Sequence, residues 1–147
     1  VTIERAGVLI VQGEHLALIE RQVRGRRYWV IPGGGVGQGE TVVEAAQREA
    51  LEELGVPVAL GELRVCIDHR QDDGSIQRQW YFDGAVSTDD IRVAGPEMQV
   101  SEKGTYRAVW IGLDAIDAVA TYPSAVAQLV IQNRGVWNST LVQIVEM

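Results

Sequence analysis

Glu49, Glu52 and Glu53 crowd into one short stretch, and Gly33-Gly34-Gly35 stands a little upstream of them. On a helix at about 100° per residue, Glu52 and Glu53 fall on either side of Glu49 within an arc of roughly 100°. Like charges at these spacings repel, and each pair weakens an isolated helix by a few tenths of a kcal/mol. No lysine offsets them. Hard divalent ions such as Mg²⁺ and Mn²⁺ take oxygen ligands, a few carboxylates completed by water and substrate phosphates. Three glutamates on one face supply most of such a site. The competing explanation is a solvated acidic face on an amphipathic helix.

The helix that must position these acids has clear ends. Thr41 and Glu44 have capping-box spacing, Gly55 sits where a left-handed C-terminal cap belongs, and Pro57 prevents continuation. Val43, Ala46, Ala50 and Leu54 are expected to form its apolar face, away from the carboxylates. Upstream, residues 6–11 and 16–19 are apolar runs joined by Gln12-Gly13-Glu14-His15, which reads as a hairpin, and residues 28–31 form a short strand stopped by Pro32. Downstream, residues 58–67 and 77–86 read as paired strands around the turn at Gln71 to Gly74. Residues 87–104 are a long polar stretch of the kind that serves as a functional loop. Residues 106–111 read as a strand, residues 124–133 as a helix ended by Gly135, and residues 140–145 as a last strand. With no repeat or linker, residues 1–147 are expected to form one domain.

The bulk numbers exclude several classes. At 147 residues and 46% hydrophobic content, the chain suits a globular domain with its own core. A net charge of −7 argues against nonspecific binding to nucleic acid or an acidic membrane surface. No apolar run approaches the ~20 residues needed to cross a bilayer. The N-terminus does not read as a signal peptide, and the single cysteine, Cys66, rules out an internal disulfide. The expected location is the cytoplasm.

The same residues carry a family resemblance. Gly34, five residues, Glu40, seven residues, then Arg48-Glu49-Ala50-Leu51-Glu52-Glu53-Leu54-Gly55-Val56 resembles the signature box of the Nudix hydrolases, with every fixed position filled. The resemblance implies an α/β fold, the Nudix-type α/β/α sandwich with a mixed β-sheet between helices. It also implies a pyrophosphohydrolase dependent on Mg²⁺ or Mn²⁺. Water would attack a phosphorus of a nucleoside diphosphate linked to a further group, a small-molecule nucleotide. Among site residues it implies Gly33 (through its carbonyl), Glu49, Glu52 and Glu53 as metal ligands, with Glu97 or Glu102 as further candidates. Glu49, Arg48 and Glu53 are the implied catalytic residues. Glu49 is the first choice for general base, although some members take the base from a later loop, where Glu97 and Glu102 lie. Arg48 is implied to orient the glutamates; the plainer alternative is a surface ion pair with Glu44 or Glu52. Members are often dimers, so a homodimer belongs among the expectations. The alternative function is a catalytically silent module that senses a nucleotide and regulates a partner.

Substrate contacts are read from residue type. Arg21, Arg24, Arg26 and Arg27 precede the glycine turn with no acid among them, and arginine forks match phosphate geometry. Arg24, Arg26 and Arg27 are the chosen phosphate contacts, with Arg78 in a lesser role; a solubilising basic loop is the alternative. Tyr28 and Trp80 offer flat faces for a base, although aromatics in strands also serve the core. Markers of particular substrate classes are absent: the position where the family's ADP-ribose hydrolases often carry proline is Asp72, and Asp73 and Gly74 stand where dinucleoside polyphosphate hydrolases often carry tyrosine. A nucleoside triphosphate or nucleotide sugar is left as the expected substrate.

Overall fold

The computed structural model describes residues 2–87, 99–101, 104–138 and 141–146. Glu97 and Glu102 lie outside the described residues, as does most of the polar stretch that contains them. The elements in chain order are β1 (Thr2–Leu9), β2 (Val11–Gln12), β3 (His15–Val23), β4 (Arg26–Val30), β5 (Gly33–Gly35), α1 (Val42–Leu54), β6 (Ala59–Arg70) and β7 (Ile76–Ala85). There follow β8 (Gln99–Ser101), β9 (Gly104–Gly112), β10 (Thr121–Tyr122), α2 (Ser124–Asn133) and β11 (Val142–Glu146).

The strands form two mixed sheets rather than one. The first runs β11-β6-β7-β1-β5, with β1 parallel to β7 and antiparallel to β5. The second runs β10-β4-β3-β9-β8, with β2 paired to β3 and only β10 joined in parallel.

Strand alternation explains the layering, because neighbouring residues on a strand point to opposite faces. Leu9, Leu16 and Leu18 pack in one buried cluster with Val126, Ala127 and Val130 of α2. Val8, Ala17 and Ile19 pack in another with Ala50 and Leu54 of α1. Adjacent residues of β1 and β3 thus bury themselves under different helices, which places α1 and α2 on opposite sides of the strands. That is the expected α/β/α arrangement.

The capping of α1 is as expected. The Thr41 hydroxyl accepts from the Glu44 N–H at 3.1 Å, the Glu44 carboxylate accepts from the Thr41 N–H at 2.9 Å, and Gly55 closes the helix at φ 73°. Such caps contribute about 1 kcal/mol each and fix where the helix starts. The apolar face differs by one residue: Val43 is 42% exposed, and Ala45 is buried with Ala46, Ala50 and Leu54. Three alanines on that face let the helix axis lie close to the strands beneath it.

Candidate active site

Close packing of α1 has a consequence for its acids. Taking Ala46 as zero at about 100° per residue, Ala45 lies near −100° and Leu54 near +80°, while Glu49 and Glu53 fall near −60° and −20°. Both glutamates therefore project within the buried arc, not away from it as the sequence suggested. Glu52 lies near −120°, at its edge. The side-chain exposures follow this order, 17% for Glu49 against 58% for Glu52.

The glycine turn accommodates the two inward acids. A β-carbon at Gly34 would clash with the Glu49 carboxyl group. A β-carbon at Gly33 would meet the Ala6 carbonyl oxygen at 2.6 Å, so this strand must be bare where it lies against β1. The Glu53 carboxylate accepts a hydrogen bond from the Gly33 N–H at 2.7 Å. Burial pushes the Glu53 carboxyl up to about 7; the neighbouring Glu49 adds to this, and the Gly33 N–H, Arg21 and Arg5 oppose it. The box glutamates are thus held against β5 with their charge incompletely balanced.

Arg48 locks the frame. Its Nε and Nη2 fork onto the Glu40 carboxylate at 2.8 and 3.0 Å, and Nη2 also donates to the Gly35 carbonyl at 3.0 Å. Its Nη1 donates to Glu49 at 2.9 Å and reaches Glu52 at 3.5 Å. Both expected roles are present in one side chain, orientation of Glu49 and a longer i,i+4 pair with Glu52, whereas Glu44 is occupied in the helix cap. Hydrogen bonds from Arg48 and from the Gly37 N–H hold the Glu40 carboxyl down to about 2. In the sequence Glu40 is marked only by its place in the signature spacing.

Among the described residues no group of three acidic, histidine or cysteine side chains is placed to hold a metal ion. Glu49 and Glu53 face the turn, while Glu52 lies outward beside Arg48. This open arrangement fits Mg²⁺ or Mn²⁺ better than a metal that demands a full protein cage. Mg²⁺ usually keeps several waters and binds through one or two carboxylates plus substrate phosphates. The donors are oxygens, and among the described residues the half-buried Glu53 carboxylate forms no ion pair; its partner is the Gly33 N–H.

A cleft of about 180 Å³ opens beside Gly33, lined by Arg5, Arg21, Gln79, Tyr81 and Tyr122 together with neighbouring backbone. Several expected substrate contacts stand elsewhere. The Arg78 guanidinium forks onto Asp68 at 2.7 and 2.8 Å, and the Trp80 indole N–H donates to Glu4 at 2.7 Å. These two line a separate groove with Cys66, Leu141 and Val145. The cause is strand parity: on β7, Gln79 and Tyr81 point into the cleft, so Arg78 and Trp80 point away from it.

The basic segment divides in the same way. Arg24 sits at φ 52° in the β3–β4 turn and is exposed. Arg27 pairs with Glu20 at 3.2 Å and lies 5.1 Å over the Trp29 ring. Glu20 is only 3% exposed; burial pushes its carboxyl up, but hydrogen bonds from Arg27 and Arg107 outweigh this and hold it below the usual carboxylate value. Arg27 is thus ion-paired to a strand acid while its side chain stays half exposed. Arg26 donates to the Tyr122 hydroxyl at 3.1 Å, and Tyr28 meets Tyr122 edge-on at 6.2 Å, so these two border the cleft without lining it. Nothing local marks Arg5, which follows Glu4, or Gln79, which lies in the polar run Gln77-Arg78-Gln79. Their shared register position, Arg5 opposite Gln79, becomes visible only once β1 and β7 pair.

Comparison with known proteins places this geometry. A family model described as NUDIX domain matches residues 2–130. The crystal structure of a NUDIX hydrolase from Nitrosomonas europaea superposes with a TM-score of 0.73 at 18% identity, covering 97% of this chain and 77% of its own. A MutT NUDIX hydrolase from Burkholderia pseudomallei gives 0.68 at 25% identity, covering 86% of this chain and 95% of its own. An ADP-ribose pyrophosphatase from Streptococcus suis gives 0.67 at 14% identity, covering 98% of each chain.

Proposed function

The chain belongs to the Nudix family of phosphoanhydride hydrolases, and on that premise we propose that it is a divalent-metal-dependent pyrophosphohydrolase of a nucleoside diphosphate linked to another group. The observation that carries this reading is the pair Glu49 and Glu53, half-buried against a glycine turn whose missing side chains leave them room. A nucleoside triphosphate or a nucleotide sugar is the favoured substrate, and residues 1–147 are read as one domain.

Glu53 and Glu49, with Glu52 at the edge and the Gly33 carbonyl, would hold Mg²⁺ or Mn²⁺. When bound, such an ion neutralises phosphate oxygens and lowers the pKa of water so that hydroxide is available near neutral pH. The chain's own residues do the rest. Arg48 holds the Glu49 carboxylate in one orientation, and Glu49 accepts the proton of the attacking water. The Glu40 clamp keeps Arg48 extended along the turn, so the base keeps its aim. Water adds to one phosphorus, the bridging P–O bond breaks, and the bridge oxygen leaves on the second phosphate.

Incubation with a panel of nucleoside triphosphates and nucleotide sugars, with and without Mg²⁺ or Mn²⁺, tests the proposal. Metal-dependent release of a nucleoside monophosphate, reduced at least tens-fold in Glu53→Gln, is expected. Binding of a nucleotide without cleavage under every metal condition would replace the hydrolase with a sensor.

A further inference from the structure

Among the described residues six arginines are partly buried: Arg5, Arg21, Arg48, Arg64, Arg78 and Arg134. The last four are each ion-paired to a carboxylate. Among the described residues Arg5 of β1 and Arg21 of β3 have no such pair, and both line the cleft beside Gly33, one from each sheet. A guanidinium cannot shed its charge, so withdrawing it from water is unfavourable unless an anion joins it. Glu53 lies within electrostatic reach of both, and the proposed function assigns it to a cation. Arg21 rests 5.6 Å over the Tyr106 ring, which steadies the side chain but supplies no counter-charge.

Gln79, beside Arg5 in register, is neutral and already committed. Its Oε1 accepts from the Tyr81 hydroxyl at 2.5 Å, and its Nε2 donates to Gln77 at 2.7 Å. The cleft therefore presents two guanidinium charges with no ion-paired carboxylate among the described residues, and a fixed amide.

We infer that Arg5 and Arg21 bind a phosphoryl group of the substrate between the two sheets, with Arg5 the specificity-determining contact that separates phosphorylated from unphosphorylated nucleosides. The inference rests on the proposed function only in assigning that phosphoryl group to a substrate; anion binding can be measured apart from catalysis.

The test is isothermal titration without divalent cation, using inorganic pyrophosphate and a panel of nucleosides with their 5′-monophosphates. The wild-type protein is expected to bind a monophosphate at least about 10-fold more tightly than its nucleoside, the ratio falling below about 3-fold in Arg5→Gln. Arg5→Lys should recover part of the preference, since it restores charge without the fork. Glu53→Gln should keep the ratio while losing hydrolysis. Equal binding of nucleoside and monophosphate by the wild type, or an unchanged ratio in Arg5→Gln, would overturn the inference. Should Arg5→Gln not fold by circular dichroism, Arg21→Gln is read by the same ratio. An anion preference in a protein that hydrolyses nothing would uphold this site and remove the proposed function; hydrolysis with no anion preference would do the reverse.

Discussion

The Glu49 carboxyl group occupies the space that a β-carbon on residue 34 would need, so the absent side chain of Gly34 and the inward pose of Glu49 are one feature seen from two elements. A helix packed this closely on β1 through Ala46 and Ala50 has no room for both. Gly34→Ala should therefore displace Glu49 while the helix and its caps persist. Since displacement of a catalytic group by about 1 Å can cost on the order of 10²-fold, kcat/KM should fall by about that factor with little change in Tm. Steady-state kinetics beside a thermal melt checks this.

Removal of the Arg48 guanidinium frees three acids at once. In Arg48→Ala the Glu40 carboxyl, held down to about 2 in the intact protein, should return toward the ordinary carboxylate range. An NMR titration of the Glu40 side-chain carbon reads this directly. Activity should drop roughly 10–100-fold, as for other groups that orient ligands. Arg48→Lys should recover little, because a point charge cannot serve Glu40 and Glu49 in a fork.

The Glu53 carboxyl makes the metal-free protein less stable as pH rises. Burial lifts it from 4.5 to about 7 in the folded chain, so the folded state still holds this proton where the unfolded state has lost it. Its contribution is full below the unfolded value and disappears as pH passes through about 7. The loss is on the order of 3 kcal/mol. Thermal melts in a chelator should show Tm falling between pH 5 and pH 8, and Glu53→Gln should remove most of that fall. Mg²⁺ should raise Tm more at pH 8 than at pH 5.

Arg78 and Trp80 supply a contrast. Their side chains pair with Asp68 and Glu4 on the face of β7 away from the cleft. Arg78→Ala should leave KM within about twofold of wild type, the ordinary effect of a substitution remote from the bound ligand. A large rise in KM would place the substrate in the wrong groove.

What was legible in the sequence had local causes. The capping box at Thr41, the left-handed cap at Gly55 and the spacing of the box glutamates depend on residues within a few positions, and all are present in the fold. What was not legible depends on partners distant in sequence. The sequence pattern runs the helix stripe through Val43 and away from the acids, because side-chain polarity alone says that a glutamate belongs in water. The facing glycines reverse that for Glu53. Arg78 and Gln79 are neighbours, and arginine was preferred by type; only the pairing of β7 with β1 shows that the glutamine faces the cleft. Glu20 reads as an ordinary strand acid until Arg27 and Arg107 close over it from the flanking strands.

Electron paramagnetic resonance of Mn²⁺ during titration into the metal-free protein tests the central claim without depending on the substrate. The account predicts a bound, line-broadened Mn²⁺ population whose affinity falls by about 10–100-fold in Glu53→Gln and is reduced in Glu49→Gln. Affinity equal to wild type in both variants would show that these acids do not hold the cation, and the assignment of the site would be wrong.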